Sequence, residues 1–366
     1  MIKILHLLPN AGVGGLELMV RDFSAKLDLS RFNPIICSLR QDCGAGEFFA
    51  EANLRFIEYP CDKTVSLKGW IGLSRILRNE KIDIIHTHGK RPAVFGRMAG
   101  LFAKTKVLYV HIHDINPPST FLQKWLDRRL YKYTKRYLGC SKAVIDVWRE
   151  RIKLPEEKFQ VFYNFIQIDK YKSKLTKAQA KQKLGIESSS PVIGFVRRMT
   201  QSKDPMFFLD AFQYFLNKYP HAKAVVVGDG ELFSSVSERV ESTLLKNHVI
   251  LTGSVTKGIE DLYAAMDLMA MTSIGEEGLP RVILEAQAAD VIPVARWMAG
   301  VYEAIGNGGV LVKADAPDSV FAEAMAEALT KHEYYSHLMR ENLKRFDCVE
   351  SIKNLEKMYE FDCNSV

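Results

Sequence analysis

Residues 191–203 read Pro-Val-Ile-Gly-Phe-Val-Arg-Arg-Met-Thr-Gln-Ser-Lys, an apolar run of strand length that gives way to three cations. A strand covered on both faces reads as such a continuous apolar run, so a parallel strand is expected here. Its position decides the fold. It follows the polar stretch KSKLTKAQAKQKLGIESSS (172–190), which reads as a linker, and it restarts a rhythm that the first half has already run once. There the runs IKILHLL, NPIICSL, RFIEYP, IDIIHTH, KVLYVHIH and the residues around Leu138 alternate with amphipathic segments. One of these carries Leu16, Val20, Phe23 and Leu27 on a single face, another lies near residues 66–79, and a third follows Pro92. After residue 191 the strand-like runs AKAVVVGDG, HVILTGS, LMAMTS, VIPVAR and GGVLV recur around helical segments such as PMFFLDAFQYFL and PRVILEAQAA. This alternation marks doubly wound parallel sheets. The expected fold class is therefore α/β, with two Rossmann-like domains facing each other across a cleft. Their expected limits are 1–174 and 175–345, followed by a closing helix over 346–366 that packs Ile352, Leu355 and Tyr359 back on the body.

The totals agree with two domains. A chain of 366 residues exceeds one comfortable hydrophobic core, and 47% hydrophobic with 25% charged residues describes an ordinary globular composition. No stretch approaches the ~18 apolar residues of a membrane span, and the start reads as a strand rather than a signal peptide, so a cytoplasmic location is expected. Cys37, Cys43, Cys61, Cys140, Cys348 and Cys363 show no metal-ligand spacing and read as reduced thiols. The net charge of +7 is uneven: residues 1–150 hold 24 Lys/Arg against 14 Asp/Glu, which leaves the remainder at −3. The first half thus faces something anionic, such as a phosphorylated acceptor, an acidic membrane or nucleic acid.

Three stretches can carry chemistry. Gly12-Val13-Gly14-Gly15-Leu16-Glu17 forms a glycine-rich turn from the first strand into a helix, where Gly14 and Gly15 let backbone approach a phosphate or sugar. A tight turn without ligand is the alternative. Arg197, Arg198 and Lys203 sit where a strand ends and can neutralise a diphosphate, or form a merely solvated basic loop. In Ser273-Ile274-Gly275-Glu276-Glu277-Gly278-Leu279-Pro280-Arg281-Val282-Ile283-Leu284-Glu285-Ala286, Pro280 suits the first helical position, Glu277 lies in the preceding loop, and Glu285 lies inside an apolar helix. An acid there needs a partner, either ribose hydroxyls or a nearby arginine.

The pair Glu277 and Glu285, the cations Arg198 and Lys203 and the opening Gly14-Gly15-Leu16-Glu17 resemble the family 4 retaining glycosyltransferases of GT-B fold. Gly228-Asp229-Gly230, Gly253, Pro293-Val294-Ala295 and Gly300 with Glu303 follow in the family's order, so the likeness spans nearly the whole chain. It implies that Arg198 and Lys203 hold the diphosphate of a nucleotide sugar and Glu285 the ribose. Glu277 would face the transferred sugar, with backbone N–H groups from Gly278, Leu279 and Arg281 beside Pro280. The nucleobase would lie near Gly253 to Val255, and His113, with His111 as runner-up, near the donor sugar carbon; a buried structural histidine is the alternative for either. Arg197 departs from the pattern, standing where the family usually has glycine, and so does Asp290, where a small residue is usual. The implied activity is a metal-independent transfer from a uridine diphosphate sugar, as default nucleotide, of a hexose or N-acetylhexosamine. Its setting, by the variant Glu277-Gly278-Leu279-Pro280 and Glu285-Ala286-Gln287, would be bacterial surface polysaccharide such as lipopolysaccharide. No D-x-D occurs to hold a divalent ion, so fixed cations are expected to replace it, and no cofactor is expected.

On the acceptor side, Glu17, His88, Lys90 and Arg91 are the expected contacts for a glycan or lipid-linked saccharide. His86 and His88, without further ligands nearby in sequence, are not expected to hold zinc. Residues 121–137 place Leu122, Leu126, Leu130, Tyr133 and Tyr137 on one helical stripe and Lys124, Arg128, Lys132 and Lys135 on another, with Arg129 and Arg136 beside them. This basic face suits peripheral contact with an anionic membrane, or simple solvation. The rival readings are a non-catalytic sugar-nucleotide scaffold, expected to have lost some of Arg198, Lys203, Glu277 and Glu285, and an epimerase of the same fold, which needs no separate acceptor surface. A nicotinamide dehydrogenase lacks its ribose-binding acid, and nucleic-acid binding has only charge in its favour.

Overall fold

The structure, a computed structural model, describes residues 1–366 except 11, 13, 42–43, 117–119, 256, 276 and 366. Val13 and Glu276 of the motifs above, and Cys43, lie outside the described residues; Cys37, Cys61, Cys140, Cys348 and Cys363 are free thiols. The chain divides into two compact units, residues 1–165 with 348–366, and residues 166–347.

Among the described residues the first unit holds seven strands, β1 (Ile2–Leu8), β2 (Phe32–Ser38), β3 (Arg55–Glu58), β4 (Ile84–His88), β5 (Val107–Ile112), β6 (Arg136–Gly139) and β7 (Phe159–Val161), in the order β3-β2-β1-β4-β5-β6-β7. The second holds six, β8 (Val192–Val196), β9 (Lys223–Val227), β10 (Val249–Gly253), β11 (Leu268–Met271), β12 (Ile292–Arg296) and β13 (Val310–Val312), in the order β10-β9-β8-β11-β12-β13. Every pairing is parallel. Both sheets are doubly wound, and each reverses its order beside its first strand, between β1 and β4 and between β8 and β11. Ligands of such sheets bind outside the carboxyl ends of the strands at that reversal. The central strands are almost wholly buried, which is why they read as continuous apolar runs. Only β7, three part-exposed residues at a sheet edge, left no periodic signal.

Tertiary contacts move the expected boundaries. Residues 166–174 lie before the expected border at 174/175 yet bind the second unit: Ile166 N–H donates to Phe346 O (3.1 Å), Tyr171 Oη to Glu285 (2.9 Å) and Ser173 Oγ to Asp261 (2.6 Å). The polar linker is partly a helix, Lys177–Lys183, started by a capping box of Thr176 and Gln179. The last helix, Cys348–Asn364, returns to the first unit, where Ile352, Leu355, Met358 and Tyr359 join Ile4, Phe23 and Phe32 in one core. Its buried Asp362 accepts from Arg136 Nη2 (2.9 Å).

The helical stripe expected over 121–137 ends early. The helix runs Phe121–Leu130, a tight turn spans Tyr131–Tyr133, and Tyr137 belongs to β6. Leu126 and Leu130 pack on Val94, whereas Leu122 and Tyr133 are exposed beside Phe121 and Trp125. Beneath the helix, the buried Arg97 pairs with Asp127 and donates to Tyr137 Oη (2.7 Å) and Thr134 Oγ1 (3.1 Å). That buried network fixes the base of the helix, and the outer face of the helix is left to solvent.

Candidate active site

The loop after β8 is pinned on three sides. Asp204, at φ +51°, caps the helix Pro205–Lys218 by accepting from Phe207 N (3.2 Å) and also accepts from Arg296 Nη1 (3.0 Å). Thr272, just past β11, donates to the carbonyls of Lys203 (3.0 Å) and Asp204 (2.9 Å), and Ile274 N–H donates to Ser202 O (3.0 Å). On the other side Gly228, at φ +138°, lies so close that a Cβ there would stand 1.9 Å from Arg197 O. These contacts bring the carboxyl ends of β8, β9 and β11 together around the Arg197 and Lys203 side chains.

Both cations converge on one acid. Lys203 Nζ donates to Glu277 Oε1 (2.5 Å), Arg197 Nη2 donates to the same oxygen, and Ser273 Oγ adds a third bond (3.0 Å). Burial pushes the Glu277 carboxyl up, but Arg197 and Lys203 outweigh it and hold it below its ordinary value. Burial, reinforced by Arg197, lowers the Lys203 ammonium. Two cations against one carboxylate leave a surplus positive charge, and the buried Nη1 of Arg197 has no partner. Arg198, by contrast, is exposed, and its guanidinium has no hydrogen bond or ion pair among the described residues. An anion outside β8 and β11 complements this arrangement.

Glu277 leads into Gly278, Leu279 and Pro280, all buried. Pro280 is the N-cap of the helix Arg281–Ala288, one residue ahead of the expected first helical position. Gly300 holds this segment in place: a Cβ at that position would lie 2.1 Å from Gly278 O and 2.2 Å from Glu277 O. Glu285 accepts from Tyr171 Oη (2.9 Å) and Tyr263 Oη (3.1 Å), with Arg281 Nε 3.8 Å away. These contacts leave lone pairs on the carboxylate for further donors. Val255 is half-buried just beyond Gly253, whose carbonyl accepts from Gly228 N (2.9 Å), so this loop shares the edge that carries Arg197.

In the first unit, Gly14 is the N-cap of the helix Gly15–Ser24, and Glu17 in its first turn is buried with Oε2 close over Gly14. Lys90 pairs with Asp114 (3.2 Å), and Arg91 donates to the carbonyls of Pro9 (2.5 Å) and Leu39 (3.3 Å), which ties down the turn after β1. His88 is fully buried, with Nε2 3.2 Å from His6 Nδ1 and Nδ1 3.0 Å from His113 Nε2, which removes it from the expected acceptor surface. Of the two candidate histidines at the end of β5, His111, on the strand, is fully buried, whereas His113, just beyond it, is half-buried. Burial pulls the His113 ring down to about 3 and keeps it neutral.

Two family models between them match nearly the whole chain: the one described as Glycosyltransferase Family 4 matches residues 13–170, and the one described as Glycosyl transferases group 1 matches residues 176–345. The chain belongs to the family 4 glycosyltransferases of GT-B fold. This glycosyltransferase is 29% identical over 232 residues to the UDP-Gal:alpha-D-GlcNAc-diphosphoundecaprenol alpha-1,3-galactosyltransferase of Escherichia coli; the match spans 61% of this chain and 59% of that protein, under two thirds of its length. It is 25% identical over 280 residues to the N-acetyl-alpha-D-glucosaminyl L-malate synthase of Bacillus anthracis, covering 74% of this chain and 71% of that one. In fold it is similar to Anabaena HepE crystallised with UDP, at a TM-score of 0.85 and 21% identity over 98% of this chain and 100% of that one.

Sequence reading of the glycosyltransferase named Lys203, Glu277 and Glu285 and grouped Arg197 with the cations that can neutralise a diphosphate, though as a departure from the family pattern, and it missed the tyrosine partners of Glu285. Tyr171 stands 114 residues before Glu285, and no local pattern links them. It also missed how sheet register sets His6 opposite His86 and His88 opposite His111. Paired apolar-flanked histidines on separate strands were the available signal.

Proposed function

We propose that this glycosyltransferase moves a hexose or N-acetylhexosamine from a uridine diphosphate sugar to a glycan or lipid-linked acceptor in surface-polysaccharide assembly, with retention of configuration and without a metal ion. One observation carries the reading: Arg197 and Lys203 share the single carboxylate of Glu277 at the β8/β11 reversal, where a surplus positive charge suits a nucleoside diphosphate. The name of the E. coli relative, with its UDP-Gal donor and diphosphoundecaprenol acceptor, and the UDP-glucose held by HepE support the donor and acceptor classes.

In this reading Arg198 and Lys203, with Arg197 beside them, hold the diphosphate, and the N–H groups of Gly278 and Leu279 after Glu277 line the sugar and phosphates. Glu285 takes the ribose hydroxyls, Val255 flanks the base, and Glu277 and His113 face the transferred sugar. Gly14 and Gly15 let backbone approach the donor, and Glu17 borders the acceptor with Lys90. The bond from the sugar's anomeric carbon to the β-phosphate oxygen breaks as the acceptor oxygen bonds that carbon on the same face, and the acceptor proton passes to the departing phosphate. Fixed cations and the helix start after Pro280 stabilise the charge that develops, a preorganised electrostatic effect. The lack of any D-x-D in the chain supports cations in place of a metal.

No helix among the described residues is long and apolar enough to cross a membrane. Peripheral attachment to the cytoplasmic face of an anionic membrane is supported by the exposed Phe121, Leu122, Trp125 and Tyr133 among Arg128, Arg129 and Lys132. Each cation near such a surface contributes about 1 kcal/mol.

The test is a thermal-shift and hydrolysis screen of uridine, guanosine and adenosine diphosphate sugars in chelator, beside Lys203→Ala and Glu277→Ala. A uridine diphosphate sugar should stabilise the protein and be slowly hydrolysed, and Lys203→Ala should abolish both. Binding of no sugar nucleotide would overturn the donor-site reading in favour of a scaffold.

A further inference from the structure

Five histidines gather in the first unit: His6 on β1, His86 and His88 on β4, His111 on β5 and His113 just beyond it, with neighbouring ring centroids 4.0–5.4 Å apart. They form two separate hydrogen-bonded chains. In one, His86 joins Tyr359 Oη (2.6 Å) to His111 Nδ1 (3.2 Å). In the other, His6 Nδ1 meets His88 Nε2 (3.2 Å) and His88 Nδ1 meets His113 Nε2 (3.0 Å).

The direction of the second chain follows from its inner end. His6 Nε2 is buried and without a hydrogen-bond partner. A buried N–H left without an acceptor is rarer and costlier than an unused lone pair, so the His6 proton resides on Nδ1. It donates to His88 Nε2. A neutral imidazole has one N–H, so the His88 proton resides on Nδ1 and donates to His113 Nε2, and the His113 proton is left on Nδ1. Burial keeps all three rings neutral, as this logic requires: His6 and His113 are drawn down to about 3, and His88 well below its ordinary value.

We infer that His6 and His88 are positioning residues: their hydrogen-bonded chain fixes the His113 proton on Nδ1, so that His113 presents an N–H donor, never a lone pair, to an oxygen of the bound sugar. The role of His113 in this statement rests on the reading that it faces the transferred sugar. The relay explains why His88 is conspicuous in sequence yet carries no exposed atom: it acts through His113. It also makes His113 a reader of hydroxyl oxygens rather than a general acid or base.

The rival for the same rings is a metal ion, since His6/His86/His88 and His88/His111/His113 each offer three ligand atoms within 4.8 Å of one another. Three neutral imidazoles can hold zinc, so the two readings compete for the same nitrogens: in the relay His6 Nδ1, His88 Nε2, His88 Nδ1 and His113 Nε2 are already taken by neighbouring rings.

The experiment is nitrogen NMR of the full-length protein labelled at histidine, as purified and after chelator, with resonances assigned through single His→Gln variants. Nδ1–H tautomers at His6, His88 and His113, unmoved by chelator, are expected. An Nε2–H tautomer at His113, or stoichiometric metal whose removal shifts these resonances, overturns the relay. A kinetic arm compares His88→Leu with His88→Gln, whose amide N–H can still donate to His113 Nε2. His88→Leu should lower kcat/KM about tenfold, the worth of one hydrogen bond, and His88→Gln should restore most of it. Equal losses in two folded variants overturn the positioning role. The tautomer is read whether or not any donor is turned over, so failure of the transferase reading and failure of the relay are separately visible.

Discussion

At the reversal between β1 and β4 the first unit gathers five neutral imidazoles, whereas at the equivalent reversal between β8 and β11 the second gathers Arg197, Lys203 and Glu277. Both sheets are parallel and doubly wound, and both bury the strands that lead to these residues. Topology therefore sets where side chains converge, and the residues set the chemistry found there. The imidazoles of the first unit pair with one another, ring against ring, while the second leaves cationic surplus unsatisfied. A site paired within itself is suited to hold shape; one lacking an anion is suited to bind it.

The sharpest way to break this contrast is Lys203→Ala. Removing a fixed cation from the diphosphate site should lower kcat/KM by about 100-fold or more with little change in melting temperature. A uridine diphosphate release assay beside a thermal melt checks it, and unaltered turnover would mean that the charged cluster is structural.

Acid should separate the units next. The folded-state values of His6 and His113 lie near 3, below the ordinary 6.5, so under pH 6.5 the unfolded chain binds protons that the folded unit refuses. Stability is thus lost as pH falls from that value toward 3, by up to about 1.4 kcal/mol per pH unit for each ring. Glu277 has the opposite origin: its depressed carboxyl gives stability above the ordinary 4.5 that is lost only as pH falls through its lower folded value. Hydrogen exchange resolved along the chain at about pH 5 should therefore show the first unit opening before the second. Equal protection in both would contradict a neutral buried histidine stack.

Gly300→Ala sharpens the second side. A methyl 2.1 Å from Gly278 O must displace the loop behind Glu277, at a cost of about 1–3 kcal/mol. Donor affinity should fall with stability, as titration calorimetry and denaturant unfolding can show. Smallest is Tyr359→Phe, which strips His86 Nδ1 of its 2.6 Å partner and should cost about 1–2 kcal/mol in denaturant unfolding while leaving donor affinity unchanged.

The sequence by itself determined the two α/β units, the strand ends that matter and most of the charged residues, because buried parallel strands and the cations and acids after them are local patterns. It carried Glu277 and Lys203 to the same site through motif likeness, but only the fold put Arg197 on the same oxygen. Long-range pairing decided the rest. Residues 166–174 join the second unit through Tyr171 and Ser173, and the last helix joins the first unit through Tyr359 and Asp362, contacts whose partners lie 88 to 273 positions away. Strand register, which no single segment encodes, turned separate histidines on β1, β4 and β5 into one stack. A side chain's type is written in the chain, but its partner is set by packing across the sheet, and hydrogen bonding, protonation and exposure all follow from the partner.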